Sequence, residues 1–304
     1  MRISSLYNSN AMLSQMGTNG TRLNKLMEQL STLKRINVPS DDPVAASRLV
    51  QLNREESAIT QYQSNISRLS GALAIQESNV DALSNQLLSL NDKLLSANNS
   101  SHSQKDMAGY GAEIDSMIES LVATLNAKNE NGSYLFSGTK TDSKTVTLDA
   151  NGQYVYGGND GTRETQVANG VNVTENTNVV HAFSGSDNDL QMLNDLKALS
   201  DKMKDPDAHY ADYKADIDAM LGSVQNTRDE VASLFTDLGG RQNRLTLLGD
   251  AHTDVSLANR QLASDLADTD QVTASTNLQL YAQSMQISYK TYSMVSQLNL
   301  FSMM

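Results

Sequence analysis

Between Leu52 and Leu94 apolar side chains recur three and four residues apart: Ile59, Tyr62, Ile66, Leu69, Leu73, Val80, Leu83, Leu87, Leu90 and Leu94, with Gln76 the polar member of the run. That alternation keeps every member on one side of a helix and is the pattern of a coiled-coil seam. It predicts a single helix over residues 43–98, about 84 Å long at 1.5 Å per residue. A matching stripe runs through Tyr213, Ile217, Met220, Val224, Thr227, Val231, Leu234, Leu238, Arg241, Leu245, Leu248, His252, Val255, Asn259, Leu262 and Leu266. Two such stripes cover each other when the helices run antiparallel, which closes a bundle. Gly239-Gly240 lies inside the second stripe without breaking its register, so a neighbouring helix is expected to approach the backbone closely there.

Two shorter helical patterns complete the bundle. One carries Met107, Tyr110, Ile114, Met117, Leu121 and Leu125 after the break at Asn98-Asn99-Ser100-Ser101, and the other carries Leu190, Leu193, Leu196, Leu199 and Met203 before Asp205-Pro206. Residues 131–186 between them lose the helical period. Thr145–Leu148 and Gln153–Tyr156 flank Asn151-Gly152 and read as a hairpin. Further strands are expected near Thr165–Ala168, Val171–Thr174 and Val179–Phe183, making a small all-β insertion that folds as a satellite. The predicted fold is therefore mainly α: an elongated antiparallel coiled-coil bundle with one β insertion.

The two ends carry stripes of their own. Leu13, Met16, Gly20, Leu23, Met27 and Leu30 form one near the N-terminus. Near the C-terminus Leu278, Tyr281, Met285, Tyr292 and Val295 form one stripe, and Leu280, Ile287, Met294, Leu298 and Phe301 a second, so that segment is apolar on most sides. The N-terminal stripe stops at Val38-Pro39-Ser40-Asp41-Asp42-Pro43. Pro39 disfavours helix at Val38, while Asp42 can cap a new helix that starts on Pro43. This is a joint between two helices.

Charge separates the same regions. The chain has 304 residues and a net charge of −12. Residues 1–40 carry five cations and one carboxylate, residues 271–304 carry only Lys290, and 41–270 therefore hold −17. A helix in water normally presents a charged face. These ends instead pair apolar residues with Ser, Asn, Gln and Thr, the composition of helices packed on several sides. The acidic balance lacks the basic footprint of a nucleic-acid binder. No apolar run is long enough to cross a membrane as a helix, and a cleaved secretory signal is not expected, because the opening residues lack an apolar core.

Candidate chemistry is sparse. Without Cys there is no disulfide, thiolate metal site or cysteine nucleophile. His102, His181, His209 and His252 are scattered, and none stands three or four residues from another, so a helical zinc pair is missing. No phosphate loop or nucleophile elbow occurs, and Asp149-Ala150-Asn151-Gly152 fits a turn better than a calcium loop. Asp41-Asp42 is placed to cap a helix rather than to act as an acid–base pair. No catalytic, cofactor or metal residue is assigned, and the chain is expected not to be an enzyme.

Leu33-Lys34-Arg35-Ile36-Asn37 with Ser40-Asp41-Asp42-Pro43, then Leu238-Gly239-Gly240-Arg241-Gln242-Asn243-Arg244-Leu245, and finally Asp268-Thr269-Asp270 resemble in order the signatures of the bacterial flagellin superfamily. Asn131-Gly132-Ser133-Tyr134-Leu135-Phe136-Ser137-Gly138-Thr139 is similar to its hook-associated branch. The resemblance implies a secreted structural subunit of the extracellular flagellum at the junction of hook and filament. It implies that 1–40 and 271–304 pair as a terminal coiled coil that lines an inner tube and drives assembly, and that 41–130 with 187–270 form the long-helix bundle around the 131–186 insertion. Expected partners are further copies in a ring, the neighbouring hook-associated junction protein, flagellin and a flagellar export chaperone, with no nucleic acid and no cofactor. The assembly surface is assigned to Leu13, Met16, Leu23, Met27, Leu30, Tyr281, Met285, Ile287, Tyr292, Val295, Leu298 and Phe301. The joint is assigned to Arg35, Asn37, Pro39, Asp41, Asp42 and Pro43. A filament subunit of the same superfamily, and a cell-wall hydrolase with its site in the insertion, are the alternatives.

Overall fold

The computed structural model describes residues 2–99, 102–184 and 190–301, with side chains described for 7, 9–99, 102–184 and 190–295. The expected break at Ser100-Ser101 and the insertion's end at 185–186 lie outside the described residues. Six α-helices are described: α1 Arg2–Thr32, α2 Pro43–Ala97, α3 Gln104–Leu125, α4 Gln191–Lys204, α5 Tyr210–Ala267 and α6 Gln271–Phe301. The fold is mainly α, as the periodicity predicts. Four short strands are described between α3 and α4: β1 Val146–Leu148, β2 Tyr154–Tyr156, β3 Glu164–Ala168 and β4 Val171–Thr174. The chain divides into two compact units, residues 1–58 with 253–304, and Ile59–His252; α2 and α5 contribute to both.

The second unit is built on the two predicted stripes. From Leu69 through Leu94 the apolar members of the α2 stripe are wholly buried, as are Ile217, Val224, Val231 and Leu238 of α5. The helices run antiparallel, since Asn98 meets Asp218, Ser70 meets Gln242 and Tyr62 stacks on His252. Gln86 and Lys93 of α2 meet Ser120 and Glu113 of α3, and Gln104 and Gly111 of α3 meet Met203 and Ser200 of α4, so each neighbouring pair also alternates in direction. Gly111 is needed there. A Cβ would stand 2.9 Å from the Ser200 carbonyl oxygen, and only a bare backbone lets α3 and α4 come that close.

Both β-hairpins are antiparallel, with β1 paired to β2 and β3 to β4. The Asn151-Gly152 turn is a five-residue loop. Asp149 accepts from the backbone of Asn151 and Gln153, and Gly152 takes the left-handed conformation at φ 79°. Two expectations need correction. Val179–Phe183 is not a strand: Val180–Phe183 forms a 3₁₀ turn, because Val180, Ala182 and Phe183 all point into the core and an alternating strand could bury only every second one. Nor is the insertion a satellite. Phe136, Val146, Val167, Val173 and Phe183 belong to the same continuous apolar core as Leu73 and Ile114.

The polar members of the seams explain how the insertion is held. Gln76 is 3% exposed, and its amide donates to the Glu175 carbonyl just after β4. Arg241 donates to the carbonyls of Thr174 and Asn176. A His252 ring nitrogen lies 2.8 Å from the Val167 carbonyl of β3. Each replaces an apolar seam residue where a backbone oxygen of the insertion must be satisfied.

Gly239-Gly240 also departs from expectation. The helix is unbroken, but nothing stands within 4 Å of a Cβ at either position, so among the described residues no helix approaches there. The inward stripe passes through Leu238, Arg241 and Leu245 and leaves both glycines beside it.

Leu83→Ala, which empties a fully buried seam position, is expected to lower unfolding free energy by about 2–5 kcal/mol, whereas Leu88→Ala, at an exposed position of the same helix, changes it by less than about 0.5 kcal/mol. Urea unfolding of the two variants checks this; equal losses would contradict the seam assignment.

Candidate assembly interface

In the first unit α1 packs along α6. On α1, Met16 and Asn19 are buried, and Leu23, Leu26 and Leu30 are half-buried. Opposite them Ala274 is buried, while Leu278, Tyr281, Met285 and Tyr292 are half-buried. Gly20 leaves room for Met285, whose Cε would stand 3.5 Å from a Cβ at that position. The Arg22 guanidinium lies 5.8 Å from the Tyr281 ring centroid and donates to its hydroxyl.

The residues assigned to assembly therefore fall into two groups. Met16, Leu23, Leu30, Tyr281, Met285 and Tyr292 are partly or wholly covered, and Leu13, Met27, Ile287 and Val295 are exposed at 48, 45, 60 and 38%. The side chains of Leu298 and Phe301 lie outside the described residues. Leu280 and Met294, one turn-pair either side of Ile287, are also exposed at 59 and 51%. α6 thus has one apolar stripe turned to α1 and a second left bare. Asn19 and Leu26 were missed by the periodicity reading. A buried polar residue cannot be found from an apolar stripe, and Leu26 sits beside the three-four run rather than in it.

The joint lies where α1 gives way to α2 and α5 to α6. α1 ends at Thr32, and Leu33 takes φ 56°, the one positive value among described non-glycine residues. Asp41 pairs with Lys25 of α1 at 2.8 Å and accepts from the backbone N–H groups of Asn37 and Val38. Asp42 caps α2 by accepting from Ala45 N–H, and its other oxygen pairs with Arg35 at 3.2 Å. Arg35 also donates from its side chain to the Leu266 carbonyl. Asn37 accepts from the Thr32 hydroxyl, Pro43 opens α2 as its first residue, and Pro39 lies exposed in the turn between. The Lys25 ammonium beside Asp41, reinforced by the two backbone donors, holds its carboxyl down at about 2 against an ordinary 3.8. The Ala45 N–H, and then Arg35, lower Asp42 as well.

Three of the four histidine side chains make contacts within the fold, His252 with the Val167 carbonyl among them. His102 packs edge-on against Tyr110, and His181 lies 3.2 Å from Asp160. Among the described residues no group of three or more His, Asp or Glu side chains could hold a metal ion, and no helix is long and apolar enough to cross a membrane.

Residues 3–141 match the bacterial flagellin N-terminal helical region. Flagellar hook-associated protein 3 of Escherichia coli K12 is 26% identical over 292 residues, covering 92% of each chain. A structure described as that of a flagellar hook-associated protein from Vibrio parahaemolyticus is 35% identical, with a TM-score of 0.69 over 75% of this chain and all of that one. The flagellar junction protein FlgL of Legionella pneumophila shares the fold at 18% identity, with a TM-score of 0.60 over 73% of this chain and all of that one.

Because its folded pKa is depressed, Asp41 contributes stability that is complete above about 3.8 and is lost as pH falls through about 2. Carboxyl ¹³C titration is expected to give a midpoint near 2 for Asp41, moving up toward 3.8 in Lys25→Gln. An unshifted midpoint in that variant would show that Lys25 does not hold it.

Proposed function

Because the chain belongs to the bacterial flagellin superfamily, in the branch of flagellar hook-associated protein 3, we propose that it is a non-catalytic structural subunit joining hook to filament, polymerising through its paired terminal helices. The bare stripe Leu280, Ile287 and Met294 carries the reading, because α6 presents it while its other stripe is already covered by α1. Apolar surface removed from water contributes roughly 25 cal/mol per Å². A helix that carries Lys290 alone among its residues has little charge to oppose close packing against like helices. Further copies are the natural cover, arranged as a ring.

In this reading residues 1–40 and 271–304 are the terminal assembly part, 41–130 with 187–270 the long-helix bundle, and 131–186 the β insertion. The −17 of residues 41–270 suits the solvent side of such an assembly, where like charges discourage unwanted association. Contacts run to flagellin on one side and to the neighbouring hook-associated junction protein on the other. Delivery is by the flagellar export path, with a chaperone covering the apolar C-terminal helix beforehand. A filament subunit would instead form long homopolymers without hooks, and a hydrolase would turn over cell-wall fragments.

Truncation after Leu280 removes Met285, Ile287, Tyr292, Val295, Leu298 and Phe301 and leaves the Ile59–His252 unit intact. In a strain deleted for the protein, the truncated chain is expected to be exported and folded in that unit, yet to leave hooks bare and filament subunits shed into the medium. Filament attachment restored by the truncated chain would overturn the proposal.

A further inference from the structure

The segments that lead into α2 and out of α5 are bonded to each other. Arg35 N–H donates to the Ala267 carbonyl at 2.6 Å, and Thr269 N–H donates to the Leu33 carbonyl at 3.0 Å. These two bonds flank an antiparallel bridge between Lys34 and Asp268. Neither segment can leave alone without stripping a donor or acceptor from the other.

The Arg35 side chain reinforces this pairing from a second direction. One nitrogen of its guanidinium pairs with Asp42, which caps the first turn of α2, and the other donates at 2.8 Å to Leu266, a carbonyl in the last turn of α5. A cation at a helix C-terminus and a carboxylate at a helix N-terminus both sit favourably in the helix dipoles. One planar fork therefore ties the end of α5 to the start of α2, and its geometry suits two acceptors at once. From α1, Gln29 donates to the Arg35 carbonyl at 2.7 Å and Lys25 holds Asp41. The left-handed Leu33 sits between these contacts, a conformation that persists in a non-glycine residue when its surroundings fix it. On the other side Asp270 caps α6 by accepting from Val272 and Thr273.

We propose that the two connections form a single zipped hinge with Arg35 as its positioning residue, so that α1 and α6 change orientation only as a pair. This goes beyond the junction reading and does not depend on it. Loosening one connection must loosen the other, although more than 200 residues separate them in sequence. A chain with two independent tethers has no such coupling.

Hydrogen exchange read by mass spectrometry on the full chain tests the coupling. Thr269→Pro removes the N–H whose acceptor is the Leu33 carbonyl and leaves the sequence of the N-terminal connection unchanged. It is expected to speed exchange of the Asn37 and Val38 amides at least tenfold. Arg35→Ala is expected to speed exchange at Thr269 by a similar factor, while Arg35→Lys, which keeps the charge without the fork, restores little of the protection. Protection in Ile59–His252, whose core is separate, reports that each variant still folds; if Arg35→Ala does not, Thr269→Pro and Arg35→Lys decide. Acceleration confined to the substituted connection, or full rescue by lysine, would overturn the proposal.

Discussion

The fold depends on the burial of two long apolar stripes, α2 from Leu69 to Leu94 and α5 from Ile217 to Leu238, inside one antiparallel bundle. Every other element of the Ile59–His252 unit is fitted to that seam. α3 and α4 close its far side through the bare backbone at Gly111, and the β-hairpins settle on it through Gln76, Arg241 and His252. At Gln76, Arg241 and His252 a seam of mostly wholly buried leucines and valines carries a polar side chain that satisfies a backbone oxygen of the insertion. Those three positions are where the seam is used to dock something.

That distinction also marks how far the sequence could be read. The α2 stripe was legible residue by residue, because periodicity reports burial directly. The role of Gln76 was not, since its acceptor at Glu175 lies 99 residues away. Val179–Phe183 has strand-like residues, but the core takes four of the five and the backbone tightens into a 3₁₀ turn over Val180–Phe183. Near the start of the 253–304 segment the α5 stripe turns by one residue: Val255 is 42% exposed, and Ser256 is buried because it donates to Glu56. An apolar template cannot anticipate a buried serine. The joint was visible as prolines and paired aspartates, yet its cross-links to Ala267 and Leu266 required the fold.

The terminal pair follows the same physics with a different outcome. α1 and α6 have too little charge to clothe their outer faces and cover each other on one side only. Glycine at position 20 admits Met285, and Asn19 is buried beside it, so the covered side is specific rather than merely greasy. The bare side, with Leu280, Ile287 and Met294, is surface that a chain folding for itself would not leave in water. A zipped hinge keeps that surface on one rigid pair, which lets many copies present it alike.

The chain contains no cysteine, so a single one introduced at Ile287 is a clean reporter of whether the bare stripe is covered by other copies. The decisive measurement is maleimide labelling of Ile287→Cys in the free chain and in purified flagella, with Leu148→Cys on the exposed edge of the insertion as the reference. The account predicts rapid labelling of both sites in the free chain and loss of labelling at position 287 alone after assembly. Undiminished labelling at 287 in intact flagella would contradict it.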